Sequence, residues 1–171
     1  MKTKIQFFQE IIREIKDKQC KASKIKKLIH DMKLVNIDVN SKRYRGRTLL
    51  HYAVKYQNNK IIKVLIKLGV NPEICDDDYN TPLHYAVTLG KIDSVVELLD
   101  NGVNINATGE FEQTSLHLAI TTNNLNIVKV LIERGADQEM VDEKNLRPID
   151  YAIDEKNLEI IEYLSLRKGG N

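Results

Sequence analysis

Three histidines, His51, His84 and His117, stand 33 residues apart, and evenly spaced imidazoles raise the question of a metal site. A zinc ion holds its ligands at about 2.0–2.1 Å. A spacing of 33 residues places each histidine in a separate structural unit, and packed helices lie roughly 8–10 Å apart. The three rings therefore do not converge on one ion. We expect them to serve the fold, with no metal and no cofactor. Cys20 and Cys75 have neither a CxxC partner nor a histidine at motif spacing, so neither reads as a zinc ligand or a nucleophile. Asp76-Asp77-Asp78 begins like a calcium loop but lacks the glycine and the twelfth-position glutamate that such a loop requires. It reads as a solvated loop. The chain has no phosphate-cradling glycine loop and no nucleophile elbow. We expect no enzymatic activity.

A basic stretch, Lys18, Lys21, Lys24, Lys26 and Lys27, lies beside the apolar set Ile25, Leu28, Ile29 and Met32. It is either a solvated helix face or a contact for an anionic surface, whether lipid, nucleic acid or acidic protein. Lysines outnumber arginines and no aromatics interleave to stack on bases, so a nucleic-acid partner is not expected.

The elements that position these residues repeat with the same period. Thr48, Thr81 and Thr114 are 33 apart, with Arg147 fourth. Leu50, Leu83, Leu116 and Ile149 keep the spacing, as do Ala53, Ala86, Ala119 and Ala152. Further along come Ile62, Val95, Val128 and Ile161, then Leu65, Leu98, Leu131 and Leu164, while Gly69, Gly102 and Gly135 close three units. Thr81 suits a helix N-cap, its hydroxyl accepting an orphan backbone N–H. Pro82 and Pro148 fall at the first helical position, where a missing N–H costs nothing. The small alanines let helices approach closely. Gln57–Asn59, Gly90, Asn123 and Lys156 mark a turn into a second helix, whose apolar face is spaced as in Val95, Leu98 and Leu99. The glycines at the unit ends can adopt the left-handed conformation that terminates a helix. The polar stretch from Cys75 to Asn80 reads as a hairpin-like loop into the next unit.

The segments Thr48-Leu49-Leu50-His51-Tyr52-Ala53, Thr81-Pro82-Leu83-His84-Tyr85-Ala86 and Thr114-Ser115-Leu116-His117-Leu118-Ala119 resemble the T-P-L-H-x-A motif of ankyrin repeats. Gly102-Val103-Asn104-Ile105-Asn106 and Gly135-Ala136-Asp137 resemble that family's repeat ending. The resemblance implies an all-α solenoid of stacked helix-turn-helix units with hairpin-like loops. Four clear repeats cover 43–75, 76–108, 109–141 and a C-terminal capping unit, 142–171. Residues 1–42 read as a degenerate capping helix pair. There, shifting by 33 places Ile29 on Ile62, Met32 on Leu65 and Asn36 on Gly69, while Asp17 falls on Leu50. Ile5, Phe8, Ile12 and Ile15 are expected to form one apolar face of its first helix. The last unit carries Arg147 for Thr, Asp150 for His, Ser165 for an aliphatic and Lys168 for Gly, as suits a solenoid end facing water.

Composition agrees with a soluble globular protein: 171 residues, 42% hydrophobic and 29% charged. No apolar run approaches the roughly 18 residues needed to span a bilayer, and no secretory signal is read at the N-terminus. The cysteines are expected as reduced thiols in a cytoplasmic or other intracellular setting, which includes delivery into a host cell. The triplet Asn106-Ala107-Thr108 is discounted as a glycosylation site. Residues 1–47 hold 14 Lys/Arg against 5 Asp/Glu, a net +9, while the remainder holds 12 against 19, a net −7. Heavy use of Lys, Ile and Asn fits an AT-rich genome, bacterial or viral.

The resemblance implies a protein partner bound on the concave face made by loop tips and first helices. Carried over by register, the contacting positions are Tyr44, Arg45, Arg47, Lys55 and Tyr56 in the first clear repeat. They are Asp77, Asp78, Asn80, Thr88 and Leu89 in the second, and Glu110, Phe111, Gln113, Thr121 and Thr122 in the third. The last unit offers Glu143, Lys144, Leu146, Asp154 and Glu155. Tyr, Arg and Phe are enriched at binding hot spots, and Tyr44 and Phe111 fall in loops that offer no obvious burial. The expected function is protein binding by a monomer acting as adaptor or inhibitor, such as a bacterial or viral effector. The alternative is recruitment to an anionic surface through the basic N-terminal segment.

Overall fold

The computed structural model describes residues 3–167. They form five helix pairs: α1 (Lys4–Lys16) with α2 (Ala22–Leu34), α3 (Leu49–Lys55) with α4 (Asn59–Lys67), and α5 (Pro82–Thr88) with α6 (Ile92–Asp100). The stack continues with α7 (Ser115–Thr121) and α8 (Leu125–Glu133), then α9 (Pro148–Asp154) and α10 (Leu158–Arg167). First helices pack on first helices and second helices on second helices along the chain. The result is a two-layer solenoid in which each unit touches its sequence neighbours.

Local chemistry explains each boundary. Thr48, Thr81 and Thr114 cap α3, α5 and α7 in extended conformation, each paired with the histidine three residues on. In the last unit Asp150 takes the histidine's place, accepting from the Arg147 backbone N–H at 2.8 Å and from its guanidinium. The turn between paired helices passes through a left-handed residue at Gln57, Gly90, Asn123 and Lys156, the four positions the period marks. Asn36 is left-handed where later units have Gly69, Gly102 and Gly135. Ala53, Ala86, Ala119 and Ala152 are fully buried between first helices, and Leu83 is buried beside them.

The N-terminal pair departs from a simple 33-residue shift. Helix α2 ends in register with α4 but begins four residues earlier, so α1 is displaced and lengthened. Its buried face is Phe7, Phe8, Ile11 and Ile15, with Ile5 exposed in the first turn and Ile12 only half-buried. The expected face is therefore rotated toward Ile11, because the core side of α1 is set by α2 and α3 rather than by periodicity alone. At the other end, Ile153 is 55% exposed where its register equivalents Val54, Val87 and Ile120 are buried. That end of the stack is less polar than the substitutions in its unit imply. The Lys168 substitution lies outside the described residues.

Candidate functional site

Between helix pairs the chain projects fingers. Each is closed by one backbone hydrogen bond across its base: Arg43 N–H to Arg47 O, Asp76 to Asn80, Gly109 to Gln113 and Asp142 to Leu146. Neighbouring fingers are joined by the Asp77 N–H donating to Arg45 O and the Glu143 N–H to Phe111 O, both at 3.1 Å.

The histidines anchor the fingers to the helices. The Thr48, Thr81 and Thr114 backbone N–H groups donate to Nδ1 of His51, His84 and His117 at 3.2, 3.3 and 3.1 Å. Nδ1 is thus an acceptor, which puts the proton on Nε2. Each Nε2–H donates to a carbonyl of the next finger, Asn80, Gln113 or Leu146, at 3.0, 3.2 and 3.1 Å. Burial holds all three imidazoles below the usual histidine value, His84 at about 4. Both ring nitrogens serve the fold in each of these three units.

Burial also pushes the Cys20 and Cys75 thiols up, which makes them poor nucleophiles at neutral pH. Asp76 is buried, its Oδ1 accepting from the Asp78 and Asn80 backbone N–H groups. It organises a finger, as Asp142 does two units on.

The residues carried over by register divide into two groups. On the fingertips, Tyr44 is 79% and Phe111 53% exposed. Asp77 and Glu110 are exposed as well, and Arg45 pairs with Asp78 at 2.9 Å. On the first helices, Lys55, Thr88, Leu89, Thr121 and Thr122 are exposed. The Thr88, Thr121 and Thr122 hydroxyls donate to carbonyls one turn back. Tyr56 is half-buried with the Lys16 and Lys55 ammonium groups over its ring at 5.2 and 5.6 Å. In the last unit Glu143, Lys144, Leu146, Asp154 and Glu155 are exposed.

The side chains of Arg47 and Gln113 are engaged inside the molecule instead, and Asn80 is engaged through its backbone. The Arg47 side chain is only 13% exposed, with its guanidinium 4.5 Å above the Tyr85 ring and Nε 3.9 Å from Asp76 Oδ2. The Asn80 and Gln113 backbone carbonyls accept from His51 and His84, and the Gln113 side-chain amide donates to the Tyr151 hydroxyl at 3.0 Å. Tyr151 in turn hydrogen-bonds Asp142.

Tyr79 was not among the positions read from sequence. It is 69% exposed and left-handed at φ +57. The first finger has Gly46 at the same position, a conformation that glycine adopts without strain. That register comparison is the signal that marks it: a bulky aromatic held where backbone sterics favour glycine.

Stacked helix pairs joined by fingers that histidines tie to a Thr-capped helix define a helical-repeat solenoid. The sequence model for ankyrin repeats (three copies) matches residues 15–109 and 94–170, and the chain belongs to the ankyrin-repeat family. The match starts near the end of α1 and takes in α2. No curated protein matches the chain. Ankyrin repeats are in general protein–protein interaction modules, and no helix among the described residues is long and apolar enough to cross a membrane.

Proposed function

We propose that the protein binds a partner protein along its fingertips and the adjoining exposed face of the first helices, acting as an adaptor or an inhibitor by occlusion. The observation that carries this reading is the run of exposed aromatics, Tyr44, Tyr79 and Phe111, on three successive fingers. Rigid aromatic side chains supply large contact area at low entropic cost, the property of hot-spot anchors. From the second finger on they are interleaved with Asp77, Glu110, Glu112 and Glu143, all exposed, which favours a partner surface bearing basic groups. Arg45 and Asp78, already paired, are placed at the rim. The free thiols fit a reducing, intracellular setting, and the protein acts there as a monomer, as an effector in a host cell or in the cell that makes it.

The test is affinity capture from cell lysate with wild type and a Tyr44→Ala, Tyr79→Ala, Phe111→Ala variant. All three side chains are solvent-facing, so the variant is expected to keep the wild-type circular dichroism spectrum and to lose a retained protein by more than about tenfold. Equal retention by the two proteins sinks the reading.

Tyr79 supports a separate prediction. A non-glycine residue in the left-handed region costs roughly 1–2 kcal/mol, and glycine's greater chain entropy offsets roughly 0.5–1 kcal/mol. Tyr79→Gly is expected to raise folding stability by about 0.5–1 kcal/mol in urea titration while weakening partner capture. A destabilised Tyr79→Gly protein would show that the ring is structural.

A further inference from the structure

The fold engages Lys24 within the basic stretch of residues 18–27, and Lys16 and Lys33 on either side of it. The Lys24 ammonium pairs with the nearly buried Glu14 carboxylate at 2.7 Å. Lys16 lies over Tyr56, and the Lys33 ammonium donates to the Leu68 carbonyl at 2.9 Å. Lys26 and Lys27 stay exposed on α2, and Lys60, Lys63 and Lys67 join them on α4.

Helix α2 buries Ile25, Leu28, Ile29 and Met32, and α4 buries Ile61, Ile62 and Leu65. With 3.6 residues per turn, Lys27 lies opposite the first set and Lys60, Lys63 and Lys67 opposite the second, while Lys26 flanks the same side. The 33-residue repeat aligns Lys27 with Lys60, His30 with Lys63 and Leu34 with Lys67, one helix spacing of roughly 8–10 Å apart. Following those rows along the stack, α6 presents Asp93, Val96 and Asp100, α8 presents Asn126, Lys129 and Glu133, and α10 presents Glu159, Glu162 and Leu166. The outer layer is therefore basic over its first two units and largely acidic beyond. The acids around the lysine face are Glu14 and Asp17, which line a surface hollow with Lys24 and Lys27, Asp31, half-buried on α2, and Asp93, exposed on α6. On the basic side, Leu34 is 68% exposed at the end of α2.

We propose that the outer face of α2 and α4 docks on an anionic phospholipid surface through Lys26, Lys27, Lys60, Lys63 and Lys67, with Leu34 entering the interfacial region. Clusters of four to eight basic residues on helical faces are held by acidic lipids, each contributing through the surface potential. Lysine stems are long, flexible and apolar, so the ammonium groups follow a fluid layer of headgroups while the stems lie against its apolar margin. Nucleic acid fits this face less well. The five cations are all lysine, the exposed positions between them carry no aromatic ring for a base to stack on, and they stand on an outer helical layer rather than in a groove that tracks a strand. The fingers are built from the inter-unit loops, so a membrane and a protein partner occupy separate parts of the molecule, as an adaptor requires.

The experiment is co-sedimentation of the full chain with vesicles of phosphatidylcholine containing about one-third phosphatidylserine, and with pure phosphatidylcholine, from about 50 to about 300 mM salt. Wild type is expected to bind the acidic vesicles alone, and to weaken steeply as salt rises. Lys27→Glu, Lys60→Glu, Lys63→Glu is expected to bind more than about tenfold more weakly. A control with the same charge change elsewhere, Lys91→Glu, Lys144→Glu, Lys156→Glu, is expected to stay within about twofold of wild type, which separates the face from net charge. A thermal melt checks that both variants fold, and Lys→Gln versions replace any that do not. Three results overturn the proposal: no binding by wild type at low salt, binding indifferent to salt, or equal loss in the two variants. Retention on single- or double-stranded nucleic acid that the first variant abolishes, with no vesicle binding, assigns the face to nucleic acid and overturns it too.

Discussion

Lowering the pH from about 7.5 to about 5 is expected to remove roughly 2 kcal/mol of folding stability. The cause is the burial of three imidazoles whose ring nitrogens are both engaged. In His51, His84 and His117, Nδ1 accepts from a threonine backbone N–H while Nε2–H donates to the next finger. Protonating Nδ1 would set one N–H against another inside a buried site. Burial therefore depresses all three values, with His84 at about 4 against about 6.5 in an unfolded chain. Between those values the unfolded state binds more protons than the native state, so stability rises with pH. It is fully present above about pH 6.5 and is lost as pH falls through the window toward 4. One pH unit corresponds to about 1.4 kcal/mol per group, so His84 alone accounts for about 2 kcal/mol at pH 5, and His51 and His117 act in the same direction. Urea titrations at pH 7.5, 6 and 5 read this directly. A midpoint that does not move would mean that burial does not hold the histidines neutral.

The helical stack from α3 to α10 was legible because a 33-residue unit repeats its own caps and turns. Thr81 before Pro82, and Asn123 where Gly90 stands one unit earlier, report local backbone requirements that spacing reveals. The N-terminal pair was less legible, because α2 extends four residues beyond the register and the packing face of α1 depends on two neighbours. The candidate site was legible in position but not in role. Arg47 shares a register with Asn80 and Gln113, yet only its contact with Tyr85 and Asp76 shows that it is turned inward. Tyr79 was missed because its one signal, a register shared with Gly46, gains meaning only with its left-handed φ. The lysine face was split between two helices 33 residues apart, while Glu14 removed Lys24 from the contiguous stretch. Periodicity reports which side of a helix is buried; it does not report which long side chain finds a partner.

Gly46→Ala is expected to cost about 3 kcal/mol, against about 1 kcal/mol for Gly102→Ala, although both glycines are left-handed. Gly102, at φ +76, has nothing within 4 Å of the position a Cβ would take, so alanine there meets only backbone strain. Gly46, at φ +65, faces the next finger, and its Cβ would lie 2.5 Å from the Asp77 backbone nitrogen. The Asp77 side chain can swing away, but the nitrogen cannot move without lengthening the 3.1 Å hydrogen bond from Asp77 N–H to Arg45 O. The neighbouring Arg45–Asp78 pair would be displaced with it. In a solenoid, stability is approximately a sum of unit and neighbour contributions, so damage at this one junction weakens the coupling of the α1–α4 units to the rest. Urea unfolding of Gly46→Ala is therefore expected to be broader than wild type as well as shifted, while Gly102→Ala shifts without broadening. Equal shifts in the two variants would show that left-handed strain is the whole effect and that the fingers carry little of the coupling between units. Tyr79 occupies the position of Gly46 one unit later and is accommodated there, so a larger loss at Gly46 would come from the close approach of the first two fingers and not from finger conformation in general.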